Sequence, residues 1–356
     1  MKILMLGEYS GYYSNLAIGF EKLGHEVSLF NNGHGWMQLF AGRSYPSYGG
    51  RFYGRWMQRA MLSWNRKLFA GFDLVYIINA EFLKWTRFHP NTWDWIRANN
   101  KRVIYTVCGQ RDSNLHRHFP YARKHMFLKS DGTIDLIACS KSPPNTDACD
   151  QLVRECDGIT TIGANYDLAY ANVEKPRACI PLPVATEAID FSPMNIGASV
   201  QIFHGKQHRP DCKGTDAILE GISSLQERKT SLPFEFRHSG GHALSEYLKI
   251  LAATDISIDQ CKSMGYGMNG LFSMALGKVV CAGNEPEHQK ALGLPTAPVV
   301  NLPFDSAEIA DILEDLLSRP KRQLEEIGRA NRAYVEQYHE ATIVAQRHLD
   351  FAESLG

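Results

Sequence analysis

The chain has 356 residues, 44% of them hydrophobic and 21% charged, an ordinary globular composition that excludes disorder as the dominant state. Lys and Arg number 38 and Asp and Glu 38, so the formal net charge is zero and the basic excess of a general nucleic-acid binder is missing. The pI near 7.2 provides no overall attraction to an anionic membrane, and the length predicts about two domains.

The apolar run at residues 3–6 ends at Gly7-Glu8, which is too short for the core of a signal peptide. It reads as a buried first strand. A Gly-containing turn follows at residues 7–11, and from Ser14 the period becomes helical, with Leu16, Phe20 and Leu23 on one face. Gly24 suits the residue after a helix C-terminus, and residues 26–30 form a second strand. Strand, turn, helix, strand is a βαβ unit, which demands parallel pairing and a right-handed crossover. Further strands are expected at 74–78, 103–107, 136–138 and 158–162. Pro176, Pro181, Pro183 and Pro193 then punctuate an extended connection. A second α/β series has strands at 200–203, 234–236, 256–258 and 278–281, with helices at 215–226, 244–253, 269–276 and 307–317. Residues 319–355 are strongly helical, with Gly328 as the expected break.

These elements predict the fold class: α/β, with two Rossmann-like domains facing across a cleft. The divisions fall at 1–180, a linker over 181–195, a second domain over 196–335 and a terminal helix over 336–356. The eight cysteines include no Cys-x-x-Cys, so reduced thiols and no metal site are expected. No run of ~18 apolar residues is present, so no membrane-spanning helix is expected.

In open α/β sheets, ligands bind beyond the carboxyl ends of the strands. Four loops there carry candidate residues. The first, residues 7–14, opens a helix and contains Glu8, Tyr9, Ser10, Gly11, Tyr12 and Tyr13. It lacks Gly-x-Gly-x-x-Gly; it is either a plain tight turn or, through Tyr9, Ser10 and Gly11, a surface for a sugar or acceptor. The second contains Cys108, Arg111 and Asp112. Arg111 suits a phosphate or carboxylate and Asp112 a hydroxyl, with an Arg–Asp surface pair as the alternative. His116 and His118 follow, without placeable partners for a metal. The third holds Lys206, Arg209 and Lys213 within eight residues. It is either a solvated basic loop or a seat for the roughly two negative charges of a leaving diphosphate. The fourth follows Asp255-Ile256-Ser257-Ile258-Asp259 and runs through Gly265, Tyr266, Gly267, Met268, Asn269 and Gly270 into a helix of small residues. Backbone amides of residues 267–269 at that helix N-terminus suit a phosphate; close helix–sheet packing is the competing explanation.

At these residues the chain resembles the GT-B-fold glycosyltransferases of family 4, often called glycosyl transferases group 1. The resemblance covers most of the chain. It rests on Leu16-Ala17-Ile18-Gly19-Phe20 with Leu23-Gly24-His25-Glu26-Val27, on Arg209 with Lys213-Gly214, and on residues 255–277, which match the family's Gly-aromatic-Gly loop and its following helix. It implies that Arg209 and Lys213 are catalytic, gripping the donor diphosphate, with Lys206, Tyr266, Gly267, Met268, Asn269 and Gly270 in donor binding. Tyr9, Ser10, Gly11, Cys108, Arg111 and Asp112 then line the acceptor side. The family's paired glutamates fall on Met264 and Phe272, which accept no hydrogen bond; Asn269, Glu285 or Glu287 are the candidates to replace them. The family's frequent histidine falls on Cys108.

The implied activity is a retaining, metal-independent transfer of a sugar from a nucleotide-diphosphate donor to a glycan or lipid-linked acceptor in polysaccharide biosynthesis. The nucleotide sugar is a co-substrate and no cofactor is implied. The chain contains no Asp-x-Asp, the diphosphate–metal motif of the alternative GT-A fold. The expected location is cytoplasmic, with peripheral membrane contact compatible and no nucleic-acid partner. The implied C-terminal helix crosses back onto the first domain. Two alternatives stand: a catalytically degenerate GT-B protein that binds a sugar nucleotide or partner without transfer, and a sugar-nucleotide epimerase, for which no clear carboxylate pair is found.

Overall fold

The structure is a computed structural model that describes residues 1–31, 43–44, 64, 66–78, 91–109, 112, 114–115, 124–129, 132–133, 146–206 and 212–356. Its first part contains β1 (Lys2–Leu6), α1 (Tyr12–Lys22), β2 (Glu26–Asn31), β3 (Arg43–Ser44), β4 (Leu74–Ile78), α2 (Asn91–Ala98), β5 (Arg102–Val107), α3 (Thr146–Glu155), β6 (Gly158–Thr161), α4 (Ala164–Ala169) and β7 (Arg177–Cys179). The strands make one parallel sheet in the order β3-β2-β1-β4-β5-β6-β7. Ile3 pairs with Val27 on one side and Leu74 on the other. β1 is apolar from Ile3 to Leu6 because both its faces are covered there. Ile3 and Met5 face Leu16 and Phe20 of α1, while Leu4 and Leu6 face Trp93 and Ile96 of α2. The expected strand at 136–138 lies outside the described residues.

The second part contains β8 (Val200–Gly205), α5 (Thr215–Gln226), β9 (Phe234–Ser239), α6 (Leu244–Ala252), β10 (Ile256–Ile258), α7 (Met268–Ala275), β11 (Val279–Ala282), α8 (Pro286–Leu292), β12 (Val300–Asn301) and α9 (Ser306–Ser318). Its parallel sheet has the order β12-β11-β10-β8-β9. Both sheets are doubly wound, so the expected fold class of two Rossmann-like units is borne out. The strand order reverses between β1 and β4 in one sheet and between β8 and β10 in the other, and crevices open outside those points.

Two helices close the chain: α10 (Lys321–Tyr338) and α11 (Ala341–Ser354). Gly328 does not break the helical stretch; it lies inside α10. A Cβ there would come within 2.2 Å of the Gly277 carbonyl oxygen, so the glycine serves a close helix–backbone approach. The break falls instead at His339-Glu340, where the connection between the domains pairs with it: Val184 N donates to His339 O at 2.7 Å and Ala341 N to Val184 O at 3.0 Å. Beyond it, α11 packs along α1, with Tyr76 Oη donating to His348 O at 3.2 Å. Leu23 departs from the expected apolar face of α1. It is the C-cap and is 36% exposed, because the helix has already ended at Lys22.

Candidate functional site

The second unit's crevice is built from the ends of β8 and β10. β10 is followed directly by Asp259, whose carboxylate is buried. Its Oδ1 accepts from Lys213 Nζ at 2.8 Å and from Asn269 Nδ2 at 3.1 Å. Its Oδ2 accepts from Gly267 N, the N-cap amide of α7, at 3.0 Å. Burial pushes the Asp259 carboxyl up, but the Lys213 charge and these donors outweigh it and hold the group below the ordinary carboxylate range. Lys213, itself buried, also donates to Gly205 O at 2.9 Å. Tyr247 of α6 donates its hydroxyl to Asn269 Oδ1, which fixes that amide's orientation.

His204, on β8, is buried, and burial lowers its pKa to about 4, so it is neutral. Ile258 O at 2.9 Å is an acceptor only, so Nδ1 carries the proton and Nε2 accepts from Thr215 Oγ1 at 2.9 Å. The histidine therefore ties the two switch-point strands to the first turn of α5.

Of the residues expected in this loop pair, the structure brings Lys213, Gly267 and Asn269 together around one carboxylate. Lys206 is exposed at the end of β8. Arg209 lies outside the described residues. Met268 and Gly270 are buried in the first turn of α7. Tyr266 points into the domain junction, its hydroxyl 3.0 Å from Nε2 of the buried His339. Met264 and Phe272 are buried, at 5% and 4% exposure, as apolar residues would be.

Glu285, a candidate to replace the paired glutamates, is committed elsewhere. Its Oε1 lies 2.6 Å from Nζ of Lys124, with both side chains almost fully buried. Lys124 also donates to Asn301 Oδ1 at 3.0 Å and to Leu302 O. Asn165 binds Lys124 O through Nδ2 at 3.1 Å, and its Oδ1 accepts from Ser263 Oγ and Met264 N, each at 2.9 Å. Lys124 and Asn165 thus join the first unit to the second, directly before the Gly265–Gly267 turn. Glu287 is exposed on α8.

In the first unit, Glu8 is buried and caps α1, accepting from Tyr13 N at 3.2 Å, Ser14 N at 2.7 Å and Ser14 Oγ at 2.5 Å. Tyr12 and Tyr13 are core residues; Tyr13 Oη donates to Thr106 Oγ1 at 2.9 Å. Tyr9 remains at the loop surface with Ser10 and packs over Gly109, which brings the first two loops together beside Gly11. Cys108 lies below them, its thiol pushed up to about 12 by burial, so it is neutral. Asp112 is fully buried. It accepts from Tyr105 Oη at 2.5 Å, Tyr170 Oη at 2.6 Å and the amides of Asn114 and Leu115. It is a capping residue in the core and not one side of a surface pair; Arg111, its expected partner, lies outside the described residues, as do His116 and His118.

Asp259 was legible as an acidic residue closing a strand, but its pairing with Lys213 crosses from one loop to another and leaves no local signature. Lys124 and Asn165 had no sequence signal at all, because they lie 41 positions from each other and more than 90 positions from their partners in the second unit. Two open cavities of about 290 and 350 Å³ share Gln201 at the amino-terminal end of β8, away from these loops. Among the described residues, no three His, Cys, Asp or Glu side chains form a metal-sized group, and no helix is long and apolar enough to cross a membrane.

No protein-family profile matches the chain, and no curated sequence matches it. Solved structures do. HepE of Anabaena in complex with UDP and glucose superposes with a TM-score of 0.63 at 12% identity, covering 99% of this chain and 100% of that one. Sucrose-phosphate synthase of Thermosynechococcus elongatus gives 0.66 at 12% identity over 100% and 99%. A glycosyltransferase of Rickettsia africae gives 0.59 at 12% over 99% and 98%. The chain has the GT-B architecture. At this identity the likeness is one of fold; the Lys213–Asp259–Asn269 network sits at the switch point of the second sheet.

Proposed function

We propose that the chain is a glycosyltransferase that moves a sugar from a nucleotide-diphosphate donor to a glycan or lipid-linked acceptor, with retention and without a bound metal, in polysaccharide biosynthesis at the cytoplasmic side of a membrane or free in the cytoplasm. One observation carries the reading: a buried lysine, the exposed Lys206 and the N-terminus of α7 converge on the switch point of the second sheet. As the glycosidic bond to the diphosphate breaks, negative charge grows on the leaving oxygen. Cations and amides placed there stabilise the transition state more than the ground state. Arg209 joins them by its resemblance to the family's diphosphate-binding arginine. Tyr9, Ser10 and Gly11 across the crevice take the acceptor side. That solved structures of this architecture include complexes with UDP and UDP-glucose supports the choice of donor class.

Incubation with a panel of nucleotide sugars and an acceptor extract, read by mass spectrometry, tests it. Release of nucleoside diphosphate coupled to a glycosylated product is expected, and Arg209→Ala lowers that turnover about 10²–10³-fold. Unchanged turnover in Arg209→Ala removes that residue from the site. A second reading, a GT-B protein that binds a sugar nucleotide without transfer, is favoured by the buried apolar Met264 and Phe272 at the usual glutamate positions. Donor binding with no release of diphosphate selects it.

A further inference from the structure

The diphosphate seat is already occupied by the chain's own anion. Lys213 spends its charge on Asp259 at 2.8 Å, and the Gly267 amide at the mouth of α7 donates to the same carboxylate. Both groups are what a diphosphate at this crevice would use. We propose that Asp259 is a built-in competitor for the donor diphosphate: it holds Lys213 when the site is empty, yields it when the nucleotide arrives, and takes it back when the nucleoside diphosphate leaves. The inference rests on the donor-site reading above and concerns how that site regulates its own affinity.

The chemistry is that of exchange between two anions. Lys is a compact charge with three N–H donors on a flexible stem, so it turns from one acceptor to another without rebuilding the backbone. Two of those donors are used, on Gly205 O and Asp259 Oδ1. Asp259 does not need Lys213 for all its hydrogen bonds, because Asn269 Nδ2 and Gly267 N remain on it, and Tyr247 anchors Asn269 from the far side. The carboxylate therefore survives release of the lysine, at the cost of standing buried beside a second anion. That cost lowers affinity for any diphosphate, which is useful where departure of the nucleoside diphosphate limits turnover. A lysine without this neighbour holds its anion more tightly. Lys206, exposed at the end of β8, has no such internal claim among its described contacts and adds charge to the incoming ligand only.

Titration calorimetry with UDP, GDP, ADP and inorganic pyrophosphate on wild-type and Asp259→Asn protein tests this. Asparagine keeps the shape and removes the charge. The expected result is binding of the preferred diphosphate at least about tenfold more tightly by Asp259→Asn than by wild type, since the variant leaves Lys213 buried without its counter-ion. Equal or weaker binding by a folded Asp259→Asn protein overturns the inference and leaves the donor site standing. Absence of binding of all four ligands to both proteins overturns the donor-site reading itself, and the inference with it. Because loss of a buried charge also threatens folding, a crystal structure of wild-type protein with the bound diphosphate asks the same question without a substitution. Lys213 Nζ should then sit on a phosphate oxygen, more than roughly 4 Å from Asp259. A lysine still at 2.8 Å from Oδ1 with the diphosphate seated overturns the proposal.

Discussion

Glu8 and Asp259 each lie in a loop at the switch point of their unit's sheet, Glu8 after β1 and Asp259 after β10. Each follows a strand at the switch point, and each turns its carboxylate onto the first amides of the next helix. The positive end of a helix dipole and its unpaired N–H groups attract any nearby anion, and a residue already in the loop needs no binding entropy to get there. Glu8 differs in that no lysine among the described residues pairs with it; burial raises its pKa against the Ser14 and Tyr13 donors, which lower it. Glu8→Ala removes the acceptor for two helix amides and one hydroxyl. A loss of about 1–3 kcal/mol in urea unfolding is expected, and a change within about 0.5 kcal/mol would show that the cap is dispensable.

Among the elements, α10 and α11 decide how the chain ends. In the sequence they read as a helical stretch with its break at Gly328, because helical period carries no information about where a helix turns a corner. Gly328 is a poor helix former, so replacing it with alanine in an isolated helix gains about 1 kcal/mol. In the folded chain the new Cβ meets the Gly277 carbonyl carbon and oxygen at 3.0 and 2.2 Å. Backbone does not move aside as a side chain does, so overpacking outweighs propensity. Gly328→Ala is expected to destabilise by about 1–3 kcal/mol, read as a lower melting temperature; a rise in that temperature would mean the helix shifts freely. α7 is held at its other end by Arg332 of α10, whose Nη1 donates to Ala275 O at 2.7 Å and Ile189 O at 2.8 Å. A cation there complements the negative end of the same helix whose positive end holds Asp259.

For the whole molecule, the buried histidines couple stability to pH. Burial lowers His204, His288 and His339 to about 4 and His348 to about 3, against 6.5 when unhindered. Their folded-state pKa values are depressed, so between those values and 6.5 the unfolded chain binds more protons than the folded one. Stability is therefore full above pH 6.5 and is lost as the pH falls toward 4, by up to about 1.4 kcal/mol per pH unit for each histidine. Glu8 and Asp255, raised by burial, act in the opposite direction and offset part of the loss. Melting temperatures measured from pH 7.5 to 4 should fall steeply below about 6.5. A flat profile would mean that these side chains are reached by water. His339 matters most for the architecture, because it joins the interdomain connection at Leu182 O, 2.8 Å from Nδ1, to Tyr266 of the crevice loop.

By itself the sequence determined the two doubly wound units. A strand buried on both faces must be apolar throughout, and a helix that covers it must be apolar on one face, so β1, α1, β4, β10 and α5 are written in local periodicity. The loops at the strand ends were legible for the same reason, since they are what interrupts the pattern. The strands β3 and β12 were not, because two residues carry no period, and neither was β7, whose Arg177-Ala178-Cys179 is only half-buried and has no apolar run. Only the tertiary structure decided what the loop residues do. The Lys213 charge lies 46 positions from Asp259, and Lys124 lies 161 positions before Glu285. Such pairs form because burying one charge without the other is costly, and which charges meet depends on how the sheets are wound and not on any spacing along the chain.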